Sequence, residues 1–394
     1  MGSIYLDNAS SIPVLNENLK LINDSLLNWY NPNGLYSKSL NDRKTIEDMR
    51  KDILLSIGGS IEDELIFTSS GSESNNMALD VFNYGIVYDP TSHSSIIDKC
   101  NYYKAKGFPI YSLSVLNTGK INLMDMYNTL CKAVWNNKNE KPRNVIVSIC
   151  GGNNENGCIQ DLNEIVNVIN TVKKHIRYAT KENFEVYLHV DAVQLIVDQK
   201  INVRKNLIDI LTISGHKIGS PYGIGALYVK KGIDLSPIIF GEQENGLRGG
   251  TENLPYIVSL HNSIKKINYD NIEYVKKLQK YMIVLLSSIK CCSLVGSVND
   301  RLSNNVCCLF HGYDGESIVN YLDMYGVQCS TGSACNSYKR IPSHVLKSMG
   351  YSDDDCLSEV RFTLSKETRI EDIEYTVKII KQFIKSEEGG AIIA

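Results

Sequence analysis

Ile208-Asp209-Ile210-Leu211-Thr212-Ile213-Ser214-Gly215-His216-Lys217 is an apolar, largely β-branched run that ends in small and polar residues and then a lysine. The turn Gly219-Ser220-Pro221-Tyr222-Gly223 follows it. Such a run reads as a buried strand, and a lysine just past its end stands where open α/β sheets build their sites. Held there away from water, a lysine loses proton affinity, because desolvation disfavours the ammonium. Its neutral amine can then bond to a carbonyl carbon.

Strand and helix patterns alternate around this run. Glu64–Thr68, Gly85–Tyr88, Ile110–Leu113, Asn144–Ile149 and Val186–Asp191 read as strands, and Leu15–Trp29, Leu40–Leu55, Met77–Phe82, His93–Cys100, Met124–Val134 and Leu162–Lys174 as helices. This alternation argues an α/β fold with a mostly parallel central sheet and helices on both faces. Beyond Thr251-Glu252-Asn253 the pattern becomes α+β, with helices at Pro255–Lys265, Asn271–Ile289, Glu316–Met324 and Ile370–Ile384 and strands at Val306–Phe310 and Val360–Leu364. The expected division is a large domain at 13–255 and a smaller one built from 1–12 and 256–394. Segments 135–143 and 175–185 read as polar surface insertions, and 387–394 as a frayed tail.

A chain of 394 residues can bury two cores without staples, and a net charge of -3 supplies no basic field, which argues against nucleic acid as a direct partner. The 11 cysteines are scattered, without a CxxC pair or a Cys/His quartet, which excludes a disulfide framework and a structural zinc site. The chain enters a strand pattern at Ser3-Ile4-Tyr5-Leu6 with no room for a leader, and no apolar run is long enough to span a membrane. The expectation is a reduced, cytoplasmic protein with no membrane partner.

Four polar groups stand at or just past predicted strand ends: His93, Asn154, Asp191 with Gln194, and Lys217. Parallel strands bring such ends to one edge of a sheet. Ser69-Ser70-Gly71-Ser72, between strand and helix, offers free backbone N–H groups and a positive helix end to an anion. It is no Walker loop, and Gly223-Ile224-Gly225 lacks the third glycine and the helix of a dinucleotide fingerprint. A carbonyl-bonding lysine, a carboxylate, a flat histidine and a phosphate cradle together describe pyridoxal 5'-phosphate (PLP). The pyridine nitrogen of PLP needs a carboxylate beside it to stay protonated and accept electrons.

The stretches His189-Val190-Asp191-Ala192-Val193-Gln194, Ser214-Gly215-His216-Lys217, Gly223-Ile224-Gly225-Ala226-Leu227-Tyr228, Arg248-Gly249-Gly250-Thr251-Glu252-Asn253 and Ser333-Ala334-Cys335 resemble the motif series of the NifS/IscS-type cysteine desulfurases. These are fold type I PLP enzymes of the class V aminotransferase group, and the resemblance runs in order over nearly the whole chain. It implies that Lys217 carries PLP covalently, Asp191 pairs the pyridinium, and His93 stacks on the ring and moves protons. Asn154 and Gln194 would contact the ring and its phenolic oxygen, with Gly71, Ser72, Ser214 and His216 holding the phosphate. Thr251 would reach that phosphate from the partner subunit of a homodimer, and Arg361, with Asn154 beside it in the substrate site, would clamp the substrate carboxylate, a task suited to a planar bidentate donor.

The same resemblance makes Cys335 the nucleophile that takes sulfur from L-cysteine as a persulfide and leaves L-alanine. An acceptor protein in iron–sulfur cluster assembly or tRNA thiolation would receive the sulfur. A group that must reach substrate and then carry sulfur away suits a loop of small residues such as Cys329–Ser337. Three departures stand out: Phe240-Gly241-Glu242-Gln243-Glu244 where the family has Gly-Gly-Gly-Gln-Glu, Ser365-Lys366 where it has Gly-Arg, and Tyr36 at a common histidine. The extended C-terminal segment with which IscS-type enzymes dock a scaffold is also missing, so a different acceptor is expected. An aminotransferase or selenocysteine lyase would use the same cofactor residues, whereas a non-enzymatic scaffold has no need of Lys217, Asp191, His93 and Cys335 together.

Overall fold

The computed structural model describes residues 3–80, 85–136, 141–332, 335–336 and 339–390, without the side chains of 136, 141–142, 335–336, 339–340 and 389–390. Its centre is a seven-stranded sheet of Glu64–Thr68 (β1), Gly85–Tyr88 (β2), Ile110–Ser112 (β3), Val145–Cys150 (β4), Val186–Asp191 (β5), Ile210–Ser214 (β6) and Gly225–Val229 (β7). The order across the sheet is β1-β7-β6-β5-β4-β2-β3. β2 to β6 pair in parallel, and β7 runs antiparallel to both β1 and β6. All six residues of β4 are buried, as a strand covered on both faces requires, which is why these strands read as unbroken apolar runs.

β7 was visible in the sequence only as part of a motif. The turn before it reverses the chain through Gly219 and Gly223, at φ of 90° and 93°, values that L side chains rarely adopt. Gly225 then sits opposite both Ser214 and Thr68, and a methyl built on it would lie 2.7 Å from the Ser70 carbonyl carbon. This close approach draws the end of β1 and the end of β6 to the same edge of the sheet.

Helices Asn16–Leu26 (α1), Ser37–Ser56 (α2), Gly71–Ala78 (α3), Ser94–Ala105 (α4), Leu123–Val134 (α5), Leu162–Thr180 (α6) and Leu254–Lys266 (α7) accompany this sheet. α3 begins at Gly71, six residues before the predicted start at Met77, because Ser70 caps it by accepting from Glu73 N at 3.2 Å while Glu73 Oε2 accepts from Ser69 N at 2.8 Å. Its predicted end at Phe82 lies outside the described residues. α6 runs past the predicted Lys174 because Ile176 continues the buried stripe of Leu162, Ile165, Ile169 and Val172. Each such side chain contributes about 1.5–3 kcal/mol, enough to carry a helix through a polar stretch.

The second core surrounds an antiparallel sheet of Cys292–Leu294 (β8), Asn305–Phe310 (β9) and Glu359–Thr363 (β10), with β9 in the middle. Ile272–Ser287 (α8), Gly315–Met324 (α9) and Ile370–Gly390 (α12) cover it, while His344–Ser348 (α10) and Asp353–Leu357 (α11) flank it. The sequence boundary near residue 255 falls at the start of α7, whose buried Leu254, Ile257, Leu260 and Ile264 join the large core. The second core begins with α8 and takes in Leu6 from the N-terminus. The tail expected to fray from 387 is helical to Gly390. Among the described residues no helix is long and apolar enough to cross a membrane.

Candidate active site

The parallel register sets Cys150 beside Asp191 and Asp191 beside Thr212, so the chain leaves β4, β5 and β6 at one edge. Lys217 closes a single helical turn, Gly215–Lys217, directly after β6. Its half-buried amine donates to the carbonyl oxygens of Ala9 and Ser10, the latter at 2.6 Å. Burial brings its pKa down from 10.5 to about 8, and the positive Arg361 adds to the effect against the pull of Asp7 and Asp191. An amine with that proton affinity is neutral in a useful fraction of molecules near neutral pH.

Asp191, at the end of β5, is 5% exposed, and both of its oxygens are held. Oδ2 accepts from Asn75 Nδ2 at 2.8 Å and Oδ1 from Val193 N at 3.0 Å. Asn75 also donates to Ser95 Oγ at 3.1 Å, and Ser95 Oγ meets His93 Nδ1 at 2.8 Å. A hydrogen-bonded chain thus links the carboxylate to the imidazole. His93 caps α4 with an exposed ring edge, yet enough protein surrounds it that desolvation holds its pKa below the ordinary 6.5. Asp191 opposes that shift, whereas Lys217 and His344 reinforce it. His189, further back on β5, is a neutral core residue between Ser148 Oγ and Thr212 Oγ1 at 2.9 and 3.0 Å, its pKa pushed down to about 3 by burial.

Gly71, Ser214 and His216, three of the residues expected at the phosphate, come together at the neighbouring corner. A methyl on Gly71 would come within 3.2 Å of Ser214 Cβ, so the start of α3 lies against the end of β6. Ser214 Oγ meets His216 Nδ1 at 3.0 Å, and burial chiefly, with Lys217, lowers the His216 pKa to about 4. Ser72 is exposed in the first turn of α3, and Thr251 is exposed on a loop.

Across the edge, Arg361 of β10 is 5% exposed. It donates to Asp7 Oδ1 at 2.8 Å, Ser10 Oγ at 3.0 Å and Asn154 O at 3.1 Å, and its Nε has no acceptor among the described residues. Gln194 donates to Ala9 O at 2.8 Å. The N-terminal segment therefore ties Lys217 and Gln194 to Arg361, a role the sequence reading of Asp7-Asn8-Ala9-Ser10 did not assign. Asn75 was likewise passed over, since one asparagine among several in Ser72–Asn76 carries no signal until Asp191 is seen beside it.

Cys335 and Asn336 form a two-residue strand paired with Lys339-Arg340. The Cys335 side chain, with Ser333, Ala334, Ser337 and Tyr338, lies outside the described residues. In the altered loop, Glu244 is buried and ties it to the sheet, accepting from Phe67 N at 3.0 Å and from both Arg50 Nη atoms at 2.6 and 3.1 Å.

This donor set fits PLP. It combines an amine with depressed proton affinity, a buried carboxylate already held by donors, an imidazole linked to that carboxylate, and a helix start with hydroxyls beside it. Asn75 Oδ1 adds a buried acceptor with no donor among the described residues. Among those residues no group of three or more His, Cys, Asp or Glu side chains is placed to hold a metal.

The family model for class-V aminotransferases matches residues 4–376. The cysteine desulfurase IscS of Dictyoglomus turgidum is 32% identical over 395 residues, spanning 97% of this chain and 94% of that protein. That of Methanosarcina thermophila is 30% identical, over 97% and 92%. The crystal structure of a NifS-like protein from Rickettsia africae superposes with a TM-score of 0.85 at 26% identity, covering 97% of this chain and 99% of that one.

Proposed function

The chain belongs to the class-V aminotransferase family as a NifS/IscS-type cysteine desulfurase, and from that premise we propose how its own residues divide the work of taking sulfur from L-cysteine. The observation that carries the assignment is the half-buried Lys217 amine placed directly past β6, at the sheet edge that also presents Asp191. Lys217, Asp191, His93, Asn154 and Gln194 would hold PLP, with the start of α3, Ser214 and His216 at its phosphate. When bound, PLP supplies an electron sink for the carbon that loses its proton.

The remaining work falls to the chain. Arg361 receives the substrate carboxylate with its unmet Nε donor, in competition with Asp7, which now holds Nη2 at 2.8 Å. Lys217 and His93, both held below their ordinary proton affinity, take the Cα proton and return one to the product. The Cys335 thiolate attacks the substrate sulfur, the carbon–sulfur bond breaks with its electron pair left to the Cβ carbon, a proton delivered there completes the methyl group, and a persulfide remains on Cys335 while alanine leaves. Burial pushes the thiols of Cys100 and Cys158 up to about 12 and that of Cys356 to about 11, which makes them poor nucleophiles near neutral pH.

The wider reading is a cytoplasmic homodimer in which the exposed Thr251 reaches the partner's phosphate position. It passes sulfur to an acceptor protein for iron–sulfur cluster assembly or tRNA thiolation. Cys335→Ala tests the core of the proposal: a yellow protein that forms neither sulfide nor alanine is expected. Sustained alanine formation by that variant would overturn it.

A further inference from the structure

Glu155 lies in the turn after β4, and Glu359 is the first residue of β10. Both are deeply buried, at 5% and 1% exposure. Glu155 Oε1 accepts from Ser343 Oγ, and Glu359 Oε1 accepts from Cys307 Sγ at 3.1 Å. The second Glu359 oxygen, Oε2, has no donor among the described residues. The two carboxyl groups meet at one spot, because a methyl built on Gly332 would overlap Glu359 Oε2 and the Glu155 carboxyl carbon together. The backbone agrees: Ser330 pairs antiparallel with Arg361, and that register continued by two residues sets Gly332 against Glu359.

Two buried carboxylates this close, with an oxygen that no donor among the described residues reaches, repel if both are ionised, and a proton on one of them supplies a donor. We propose that Glu155 and Glu359 share one proton and act as a positioning pair, seating Thr331 and Gly332, three residues before Cys335 in the chain, beside Arg361. The groups facing the pair are Cys307 of β9, Ser343 and His344 at the start of α10, Cys356 of α11, and Arg361 of β10. Burial raises both carboxyl groups. On Glu155 the Ser343 hydrogen bond, His344 and Arg361 oppose the rise, whereas on Glu359 the negative Glu155 reinforces it. Glu359 therefore holds the proton and Glu155 is the anion. When that proton leaves, two adjacent anions must separate or admit water, and Gly332 loses its seat.

The kinetic part of the proposal rests on the desulfurase reading; the protonation part does not. In the PLP-free protein at neutral pH, infrared spectroscopy should show the C=O stretch of a protonated carboxyl that disappears in Glu359→Gln. Glu359 has its pKa raised on folding, so its contribution to stability is fully present in acid and is lost as pH rises through the folded value. The melting temperature of the wild type should thus fall relative to Glu359→Gln as pH rises. In the holoenzyme, Glu359→Gln should keep kcat within about threefold at neutral pH and fall less than the wild type at alkaline pH. Gly332→Ala should lower kcat about tenfold or more with KM within about twofold. An unchanged carboxyl band, or melting curves with the same pH dependence, overturns the shared proton. Full kcat in Gly332→Ala overturns the positioning role, even if Cys335→Ala behaves as expected.

Discussion

Replacing Asn75 with alanine removes the donor that holds Asp191 Oδ2 at 2.8 Å, in a place where Asp191 is 5% exposed and water cannot easily substitute. A hydrogen bond to an ionised group contributes about 1.5–3 kcal/mol, and the ionised form of Asp191 is the one that pairs with the PLP pyridinium. PLP affinity should therefore drop about 10- to 150-fold, at about 1.4 kcal/mol per tenfold. The same change frees Ser95 Oγ, at 3.1 Å from Asn75 and one of two groups that hold His93 Nδ1 beside the Ser95 N–H at 3.1 Å, so the rate of Cα proton removal should fall modestly in the reconstituted enzyme as well. The assay is spectroscopic titration of the PLP-free protein with PLP, together with its melting temperature to detect a folding defect. A dissociation constant within about twofold of wild type in a normally folded variant would refute the claim that Asn75 holds the carboxylate in its working state.

The other outcomes follow from the same geometry. The folded pKa of Lys217, about 8, lies below its ordinary 10.5, so the unfolded chain holds this proton over a range where the folded chain has lost it. The stability of the PLP-free protein relative to Lys217→Met should rise between these two values, and a melting difference that stays flat with pH would contradict the assignment. Glu244→Ala leaves the Phe67 amide unmet and Arg50 with only Glu47 and the Leu65 carbonyl, and should cost about 1.5–3 kcal/mol in urea denaturation; a loss under about 0.5 kcal/mol would show that the altered loop is not anchored there. Lys217→Ala should bind PLP without a bond that borohydride can trap, and an adduct trapped on another residue would remove Lys217 from the role.

Much of the site could be read in the chain because strand ends announce it. Lys217, Asp191 and His93 each follow an apolar run, and parallel pairing leaves such ends little choice but one edge. The start of α3 is not legible locally, because the asparagines and serines of Ser72–Asn76 have weak helix propensity and burial of Ser74 and Asn75 outweighs it. Partners that meet only through the tertiary fold were not legible. Nothing in the local pattern around Asn75, the Ala9 carbonyl or Glu359 says what lies opposite, since that depends on segments 116, 208 and 204 residues away: Asp191, Lys217 and Glu155. The antiparallel β7 escaped because Gly225–Val229 follows a glycine turn that gives no direction by itself.

The N-terminal segment has a consequence for how the molecule comes into being. Asn8 donates to Thr363 O at 2.7 Å, a partner 355 residues further along the chain. At a synthesis rate of about 5–20 residues per second, roughly 20–70 seconds separate the emergence of these two residues. During that time Ala9 and Ser10 can meet Lys217, but Arg361 and Thr363 do not yet exist to fix them. Residues 8–10 leave the ribosome long before they can settle, and a nascent chain cut short before β10 would leave the lysine corner open to solvent on the side that Arg361 later closes.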